Sequence, residues 1–371
     1  MEKKKALIAM SGGVDSSVAA CLMQDKGYDC IGVTMRLFDN GDINISSEKS
    51  CCSLSDVEDA RSVCTVLGIP YYVFNFKDRF KECVMERFVS DYENGRTPNP
   101  CMDCNRYLKF DNLYRRAEEL GCDCIVTGHY ARVVYNEDTG RWNLLRAIYG
   151  DKDQSYVLYS LTQEQLAHTQ FPLGGLTKPE VREIAAQHHM RNARKHESQD
   201  ICFVPTGKYS DFIEEFTGKT YPEGDFVDRD GNVLGTHKGI IRYTVGQRKG
   251  LGLSLKQPMY VCSVDPVKNR VVLGTNEDLF SRELIANDIN LISVPKIDGP
   301  MRVTAKVRYR QPARPATVTQ LSDDSIRVVF DEPQRAITKG QAVVLYDGDS
   351  VVGGGTISEN AISAGTNQEG A

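Results

Sequence analysis

A glycine- and serine-rich loop near the start of the chain, SGGVDSS at residues 11–17, places the strongest constraint on the fold. The preceding residues KKKALIAM predict a buried strand, and the following residues VAACLMQDKGYD carry apolar side chains at helical spacing. The loop therefore joins a strand to the N-terminus of a helix, where unpaired N–H groups and the helix dipole attract anions. We expect a phosphate-binding loop; the alternative is a plain glycine-rich turn between strand and helix.

The side chains of this loop suit a nucleotide phosphate but not ordinary phosphoryl transfer. Gly12 and Gly13 have no Cβ, so the backbone can approach a phosphate closely. Asp15 can orient the loop or help to hold Mg²⁺. The P-loop pattern GxxxxGK[ST] uses a lysine to reach the β and γ phosphates, and its absence here argues against γ-phosphoryl transfer. Three serines add hydroxyl donors: Ser11, Ser16 and Ser17.

Composition agrees with a globular protein of about two or three domains, at roughly 150 residues per domain. The chain has 371 residues, of which 41% are hydrophobic and 26% charged. No apolar run approaches the ~20 residues of a membrane span, and the apolar run after MEKKK is too short for a signal peptide. We expect a cytoplasmic protein without membrane contact, whose 12 cysteines are buried thiols, metal ligands or reactive groups.

Strand-like and helix-like segments alternate through the first part of the chain. CIGVTMRLF, YYVFNF and CDCIVTGHY predict strands, whereas DVEDARSVCTVLG and KDRFKECVMERFVSDYENG predict helices. This alternation predicts an α/β fold with a doubly wound parallel sheet, whose ligands lie beyond the carboxyl ends of the strands. Met35, Gly128 and His129, like the loop, fall at such ends.

The alternation stops after Val204. Turn signals (DRDGN, GQRKGLG) with short strands follow, and then an almost wholly β pattern with hairpin signals at SDDS and YDGDS. We predict a catalytic α/β domain over 1–206, a small mixed adaptor domain over 207–283 and a C-terminal β-barrel over 284–363. The tail 364–371 is predicted to be disordered.

Two cysteines lie close together in GRTPNPCMDCNRYLKF, residues 95–110, which prolines and missing periodicity predict to be a loop. Cys101 and Cys104 have basic neighbours, and nearby cations lower the pKa of a thiol. Cys202 follows much later, in HESQDICFVP. The alternative is half of a four-cysteine zinc site, although no second pair has suitable spacing. The other thiols are predicted to lie in the core: Cys21, Cys30, Cys64, Cys83, Cys122, Cys124 and Cys262.

The loop SGGVDSS resembles the signature of the PP-loop ATP pyrophosphatases, which bind the pyrophosphate of ATP while a substrate oxygen attacks the α-phosphate. Beyond it, GRTPNPCMDCNRYLKF, TGHYARV, KDQSYVLYSL, ESQDICFVP, TVGQRKGLG and VRYRQ occur in this order across nearly the whole chain. Together these motifs resemble the bacterial tRNA-specific 2-thiouridylases. The resemblance implies a PP-loop (adenine nucleotide alpha hydrolase-like) fold and an ATP-dependent tRNA-uridine 2-sulfurtransferase that releases AMP and PPi.

The resemblance also implies the ATP site, with Mg²⁺ as the accompanying ion. In this family a uridine is flipped out of the anticodon loop, and ATP adenylates its O2, which then leaves as AMP. By match of motif, the residues that bind ATP are Ala9, Met10, Ser11, Gly12, Gly13, Val14, Asp15, Ser16, Met35 and Gly128.

For the sulfur, the resemblance implies that Cys202 receives a persulfide from a donor protein, either a cysteine desulfurase or a sulfur relay protein. Cys104 then resolves the persulfide and forms a Cys104–Cys202 disulfide, which requires Cα atoms within ~7 Å. Where some members have an aspartate suited to general-base work, this chain has Cys101. The alternative is a cluster-dependent tRNA thiolase in which these three cysteines hold an iron–sulfur cluster.

Two basic stretches, 184–196 and 301–320, contain no acidic residue and suit phosphate contacts whose affinity falls with salt. The first follows a predicted helix with a capping box at Thr177 and Glu180, and the second begins with the strand-like MRVTAKVRYR. By resemblance, the residues that contact tRNA are Asn99, Pro100, Cys101, His129, Lys152, Asp153, Gln154, Arg310, Gln311 and Gln341.

Two further classes of protein carry a PP-loop or its fold. A PP-loop ligase that acts on a small molecule needs neither Cys104 nor Cys202. A non-catalytic tRNA-binding protein needs neither an intact loop nor the cysteines, so their joint presence argues against it.

Overall fold

The structure is a computed structural model. It describes residues 3–38, 54–193, 195, 201–204 and 208–360. Some sequence-based predictions concern residues outside these ranges: Arg194 and His196 of the first basic stretch, and the tail 364–371.

The described residues fall into two compact units, each discontinuous in sequence. The first unit takes its residues from Met1–Met85, Pro100–Gly207 and Asp349–Val351. The second takes its residues from Glu86–Asn99, Lys208–Gly348 and Val352–Ala371.

The first unit is built on a parallel sheet. Five of its strands form this sheet in the order β3-β2-β1-β4-β7, and every neighbouring pair is parallel. The remaining two, β5 and β6, pair as an antiparallel hairpin. The order reverses between β1 and β4, so the predicted doubly wound parallel sheet is confirmed. The strands are β1 (Lys5–Ala9), β2 (Asp29–Arg36), β3 (Tyr71–Asn75), β4 (Cys124–Val126), β5 (Ala131–Asn136), β6 (Arg141–Arg146) and β7 (Thr169–Gln170).

Helices connect these strands. The α-helices are α1 (Val14–Asp25), α2 (Leu54–Leu67), α3 (Lys77–Phe80), α4 (Glu86–Glu93), α5 (Pro100–Asp103), α6 (Leu113–Glu119), α7 (Gln163–Ala167) and α8 (Lys178–Gln187), of which α4 belongs to the second unit. Among the described residues of the first unit, two segments are π-helical, Lys81–Met85 and Cys104–Asn112, and two are 3₁₀-helical, Gly150–Lys152 and Ser155–Leu158.

The central strand and two helices form the core of the first unit. Ala6 and Ile8 of β1 are fully buried together with Val18 of α1 and Val181 of α8. Helix α8 begins as predicted, because Thr177 and Glu180 form a reciprocal capping box. Six of the seven predicted core thiols are buried, whereas Cys122 is half-buried.

The predicted loop around Cys101 and Cys104 is wrong in its second half. Residues 100–119 are helical throughout, as α5, the π-helical segment and α6. Pro100 suits the first helical position, because its missing N–H has no partner there in any helix. The buried Leu108 and Leu113 lie five positions apart, the spacing of the hydrogen bonds in a π-helix, where the π-helical segment passes into α6.

The second unit begins with α4, followed after residue 208 by α9 (Tyr209–Thr217) and a four-stranded sheet. The sheet has the order β10-β11-β8-β9. Its parallel β8–β11 pair lies between two antiparallel pairs. The strands are β8 (Gly224–Val227), β9 (Val233–His237), β10 (Tyr260–Asp265) and β11 (Arg270–Gly274).

A closed six-stranded barrel completes the second unit. The strands follow the order β12-β15-β14-β13-β16-β17, and β12 also pairs with β17, which closes the barrel. The predicted hairpin at SDDS is confirmed, since Ser322 pairs with Ser325 across a two-residue turn. The strands are β12 (Phe280–Leu291), β13 (Met301–Lys306), β14 (Arg314–Ser322), β15 (Ser325–Arg335), β16 (Ala342–Asp347) and β17 (Ser350–Asn360).

Alternating residues of the barrel strands fill its interior. Val303 and Ala305 of β13 are buried with Val318 of β14 and Val328 of β15, whereas their neighbours along each strand are more exposed. The sequence-based prediction of a small adaptor followed by a β-barrel is confirmed as a fold class. Within the described part of the chain, every helix is too short or too polar to cross a membrane.

Candidate active site

A cavity of about 350 Å³ opens at the carboxyl ends of β1 and β4 in the first unit. Doubly wound sheets bind ligands where the strand order reverses, and this is that position. The volume lies in the ~300–1,000 Å³ range of small-molecule sites. Of the predicted site residues, those that line the cavity are Ala9, Met10, Ser11, Asp15, Ser16, Met35, Pro100, Cys101, Cys104, Gly128, His129, Gln154 and Cys202.

The backbone of the SGGVDSS loop is fixed by a required glycine. Gly12 has φ +75°, and a Cβ there would lie 2.5 Å from the Asp56 carbonyl oxygen, so a larger residue does not fit. Helix α1 begins at Val14 with Gly13 as its N-cap, and no side chain caps it. Its first N–H groups are therefore not used by a capping side chain, as an anion site at a helix N-terminus requires.

The serine hydroxyls of the loop bond mainly within the loop. Ser16 Oγ and Ser17 Oγ each donate to the Gly13 carbonyl oxygen at 3.0 Å. Ser17 is fully buried, so the prediction that it offers a hydroxyl donor to phosphate is wrong. Ser11 is exposed and lies on the cavity wall, with its Oγ 3.2 Å from Ser16 Oγ.

The end of β4 approaches the start of α1 closely. A Cβ on Gly128 would lie 2.7 Å from Ser16 N and 2.8 Å from the Asp15 carbonyl carbon. Glycine is therefore needed at this position to bring β4 against the loop. On the other side, Thr34 Oγ1 donates to the Met10 carbonyl oxygen at 2.7 Å, which fixes the end of β1 to β2.

Asp15 forms a partly buried ion pair. Lys178 Nζ donates to both carboxylate oxygens of Asp15, at 2.7 and 2.9 Å, and Tyr130 Oη donates to one of them at 2.8 Å. The Lys178 side chain is only 11% exposed. Of the two roles predicted for Asp15, orientation of the loop fits these contacts. The carboxylate already faces a cation, so the residues present do not fit a Mg²⁺ held by Asp15.

Two residues of the first basic stretch, residues 184–196, hydrogen-bond to the backbone of the SGGVDSS loop. Lys195 Nζ donates to Asp56 and Asp59 at 2.6 Å each, and it lies 3.4 Å from the Gly12 carbonyl oxygen. Asn192 Nδ2 donates to the same carbonyl at 3.0 Å. The expectation that this stretch serves RNA phosphates is therefore wrong for Lys195, whose charge is balanced by two carboxylates.

Cys101 and Cys104 lie on α5 and at the start of the following π-helical segment, on the cavity wall. Cys101 is exposed and Cys104 half-buried. Asn105, which is buried, anchors this helix because its Nδ2 donates to the Val157 carbonyl oxygen at 2.9 Å. Its Oδ1 accepts from Lys109 Nζ at 3.0 Å, and Lys109 also lines the cavity.

Cys202 lies in a tight turn on the same cavity wall. The turn is closed by a hydrogen bond from Val204 N to the Ile201 carbonyl oxygen at 2.9 Å. Phe203 is 1% exposed, and its ring packs edge-on against Phe80 with centroids 5.6 Å apart. Because Phe203 is anchored in the core, its half-buried neighbour Cys202 is held at the cavity.

Cys104 and Cys202 are both thiols in this structure, so the predicted disulfide is not formed here. The three cavity cysteines are also not gathered as cluster ligands. Among the residues that the structure describes, the one group with three ligating atoms within 4.8 Å of one another is Cys21, Asp25 and His188.

His129 is a buried, neutral side chain of the cavity. Its Nδ1 lies 2.7 Å from Thr127 Oγ1, and its ring packs against Phe110 and Phe171 with centroids 6.1 and 5.9 Å away. Burial lowers the pKa of His129 well below its usual value, and the Lys109 charge lowers it further. The imidazole is therefore uncharged near pH 7, and any contact with RNA uses a hydrogen bond rather than a cation.

The predicted tRNA residues of the first unit differ in how they are placed. Gln154 lines the cavity, and Lys152 is half-buried at the end of a 3₁₀ turn. Asp153 is buried, and its carboxylate accepts hydrogen bonds from Ser155 N and Oγ at 3.2 and 2.9 Å. The Asp153 carboxylate thus stabilises the local turn, and its contact with tRNA stays a prediction.

The predicted tRNA residues of the second unit lie on loops. Gln341 Nε2 donates to the carbonyl oxygens of Thr97 and Pro98, at 2.8 and 3.1 Å, which fixes the segment that leads to Asn99. Asn99 is half-buried. Arg310 is exposed and Gln311 half-buried in the connection between β13 and β14.

Only some of the basic side chains in the second stretch, residues 301–320, are placed to contact RNA phosphates. Arg302 donates to both carboxylate oxygens of Asp331, at 2.8 and 2.7 Å. Arg308 donates to two backbone carbonyls and one hydroxyl within the second unit. Arg310 and Arg314 are the exposed arginines of the stretch that remain suited to phosphate contacts.

Four residues complete the site without having been predicted from the sequence. Two of them bond to loop residues 163 and 180 positions away, so no local pattern identifies them. Lys109 has a local signal, because it follows Asn105 by one helical turn. The four residues are Thr34, Lys109, Lys178 and Asn192.

Fold and site together define a nucleotide-binding α/β domain with three cavity thiols, joined to a small β domain and a β-barrel. Comparison with known families agrees with this class. Residues 4–206 match the family described as tRNA methyl transferase HUP domain, residues 210–275 the tRNA methyl transferase PRC-barrel domain, and residues 281–357 the aminomethyltransferase beta-barrel domain.

Curated relatives identify the family within this class. The chain is 52% identical over 357 residues to the tRNA-specific 2-thiouridylase MnmA of Clostridioides difficile (strain 630), covering 96% of this chain and 99% of the relative. It is 51% identical over 358 residues to the protein of the same name from Acetivibrio thermocellus, covering 96% and 100%. The chain belongs to the tRNA-specific 2-thiouridylase family.

A solved structure of a 4-thiouridine synthetase–RNA complex with bound ATP is a more distant match. It is 18% identical, with a TM-score of 0.36, over 58% of this chain and 50% of the other. A likeness this low supports no inference about the site.

Proposed function

We propose that this protein is a tRNA-uridine 2-sulfurtransferase, which uses ATP to replace O2 of a wobble uridine by sulfur. One observation carries the proposal: the SGGVDSS loop and the thiols of Cys104 and Cys202 line one cavity. A small-molecule PP-loop ligase has no need for two thiols beside its nucleotide loop. Family membership supports the same substrate, because the relatives are named for 2-thiolation of tRNA. A tRNA substrate also implies a cytoplasmic location.

The loop serves the activation step. The α1 N-terminus attracts the phosphates of ATP, and Lys178 balances the charge of Asp15 beside them. O2 of the uridine attacks the α-phosphorus, the bond to the β-phosphate oxygen breaks, and PPi leaves. O2 is then bonded to AMP and becomes a good leaving group. Lys109, held by Asn105, is a cation on the same wall that offsets the negative charge of the reacting groups.

The two cysteines serve the sulfur step. A sulfur donor protein leaves a persulfide on Cys202, whose terminal sulfur attacks C2 of the uridine while the C2–O2 bond breaks and AMP departs. The Cys104 thiolate then attacks Sγ of Cys202. The S–S bond of the persulfide breaks, 2-thiouridine is released, and a Cys104–Cys202 disulfide forms. An external dithiol must reduce this disulfide before the next turnover.

Sulfur incorporation into an unmodified tRNA with a wobble uridine tests the proposal. The protein, shown to contain no iron, is supplied with ATP, Mg²⁺ and a persulfide donor, and the tRNA is run on a mercury-affinity gel. We expect a retarded band that depends on ATP and on the donor. No retardation under any condition would refute the function.

The same gel tests the cluster alternative. If retardation appears only after anaerobic reconstitution of an iron–sulfur cluster, Cys101, Cys104 and Cys202 act as ligands rather than as redox partners. The iron-free assay therefore separates the two mechanisms without a change of substrate.

A further inference from the structure

Three side chains with metal-binding atoms meet near the C-terminal ends of α1 and α8, and none of them lines the cavity. A sulfur of Cys21, a carboxylate oxygen of Asp25 and a ring nitrogen of His188 all lie within 4.8 Å of one another. Cys21 is 1% exposed, His188 is half-buried and Asp25 is exposed. The cluster thus has a buried base and an open side toward solvent.

The two helices hold these ligands at fixed positions. Cys21 and Asp25 are one turn apart on α1, so their side chains lie on the same face. His188 is the C-cap of α8, which packs in the same core as α1. The helices run in the same direction, since Lys178 at the start of α8 pairs with Asp15 at the start of α1.

The contacts are close to those of ligands around a metal ion. Cys21 Sγ lies 3.2 Å from His188 Nε2 and 3.8 Å from Asp25 Oδ2. Sulfur and nitrogen ligands of a tetrahedral zinc ion are about 3.5 Å apart, given bonds of about 2.3 and 2.0 Å. In the described part of the chain, no lysine or arginine pairs with the Asp25 carboxylate.

We propose that Cys21, Asp25 and His188 bind one zinc-class divalent cation, with water as the fourth ligand. One thiolate, one imidazole and one carboxylate suit zinc or cobalt rather than magnesium or calcium, which prefer oxygen ligands alone. The cation joins the C-terminal ends of α1 and α8, while the Asp15–Lys178 pair joins their N-terminal ends. It stabilises the two helices that support the loop.

Binding at this site releases a proton. The Cys21 thiol donates to Asp25 Oδ2 at 3.8 Å, and a cation bound between the two side chains takes the place of that proton.

Cobalt titration of the full-length, untagged protein tests the site. After removal of metals by chelation, Co²⁺ alone is added and the thiolate-to-cobalt charge-transfer band is followed. To remove the cavity thiols, which also bind metals, the titration is carried out on the Cys101→Ser/Cys104→Ser/Cys202→Ser variant. We expect one equivalent of Co²⁺ to saturate the band, and Zn²⁺ to displace it.

Single-residue variants test whether the charge-transfer band arises from Co²⁺ bound at Cys21, Asp25 and His188. We expect Cys21→Ser to abolish it, and His188→Gln and Asp25→Asn to weaken Co²⁺ binding more than tenfold, whereas Cys64→Ser, a buried thiol of the same core, keeps it. Asp25 is exposed, so Asp25→Asn remains informative if the buried substitution impairs folding. Zn²⁺ is expected to raise the Tm of the parent but not of the Cys21→Ser variant. Absence of the band, or a band that persists in Cys21→Ser, would overturn the site.

Discussion

At the scale of single residues, burial decides which cavity groups carry charge. His129 is 9% exposed, is hydrogen-bonded to Thr127 and stays neutral, whereas Asp15 and Lys178 balance each other across the loop. These pairings could not be predicted from sequence, because the partners of Asp15 lie 115 and 163 positions away. The glycines were predictable, since a loop that approaches phosphate needs residues without a Cβ.

His129 makes the stability of the first unit depend on pH. Its folded pKa lies below the unfolded value of about 6.5, so the unfolded chain binds the proton more readily as the pH falls. The free energy of unfolding should therefore fall below about pH 6.5, by up to about 1.4 kcal/mol per pH unit, and be constant above it. Urea midpoints read from Trp142, the single tryptophan, report on this unit.

The matched comparison for this prediction uses two histidine variants. His129→Gln should flatten the fall of the urea midpoint between pH 7 and 5, while His189→Asn, an exposed position with φ +53°, should leave it unchanged. An equally steep fall in His129→Gln would show that this histidine does not cause the pH dependence.

At the scale of secondary-structure elements, the sequence predicts the parallel sheet well. It predicts poorly the helical residues 100–119, which carry Cys101 and Cys104. Strand β1 is a short run of apolar residues that are buried on both faces, which is a strong local signal. Residues 100–119 begin at a proline and contain a π-helical segment, Cys104–Asn112, whose spacing differs from that of an α-helix. Long-range bonds, such as that of Asn105 to Val157, hold that helix instead.

Helix α8 is expected to contribute to ATP binding through its first residue. Lys178→Met leaves the Asp15 carboxylate without its cation beside the phosphates, and hydrogen bonds to charged groups are worth about 1.5–3 kcal/mol. We expect ATP affinity to fall roughly 10- to 100-fold by isothermal titration. Arg182→Met, an exposed cation on the same helix, serves as the control. Equal affinities in the two variants would contradict this role.

At the scale of the whole molecule, the fold class follows from the change of pattern along the chain. Alternating β and α segments give the parallel sheet, and the later alternation of apolar and polar residues gives the barrel strands. The extent of the basic surface cannot be predicted from the sequence pattern, because Arg302 and Lys195 form ion pairs with acidic residues distant in sequence. The formal net charge of −5 at pH 7 therefore says little about tRNA binding.

Exposed arginines of the second unit are expected to bind tRNA phosphates. Arg310→Gln should weaken tRNA binding and lower the slope of log Kd against log salt by about 0.7–0.9, the value of one phosphate contact. Arg302→Gln should change the slope little, since Asp331 already holds Arg302. Filter binding over a salt series measures both. A larger effect of Arg302→Gln than of Arg310→Gln would reverse this assignment.

We propose that one cavity activates the uridine at its loop and delivers sulfur from its thiols. The most direct measurement follows PPi release and 2-thiouridine formation together, in Cys104→Ser and Cys202→Ser, with the buried Cys83→Ser as control. We predict that both cysteine variants release PPi in a tRNA-dependent reaction but form no 2-thiouridine, while Cys83→Ser does both. Normal thiolation by Cys104→Ser or by Cys202→Ser would contradict the claim.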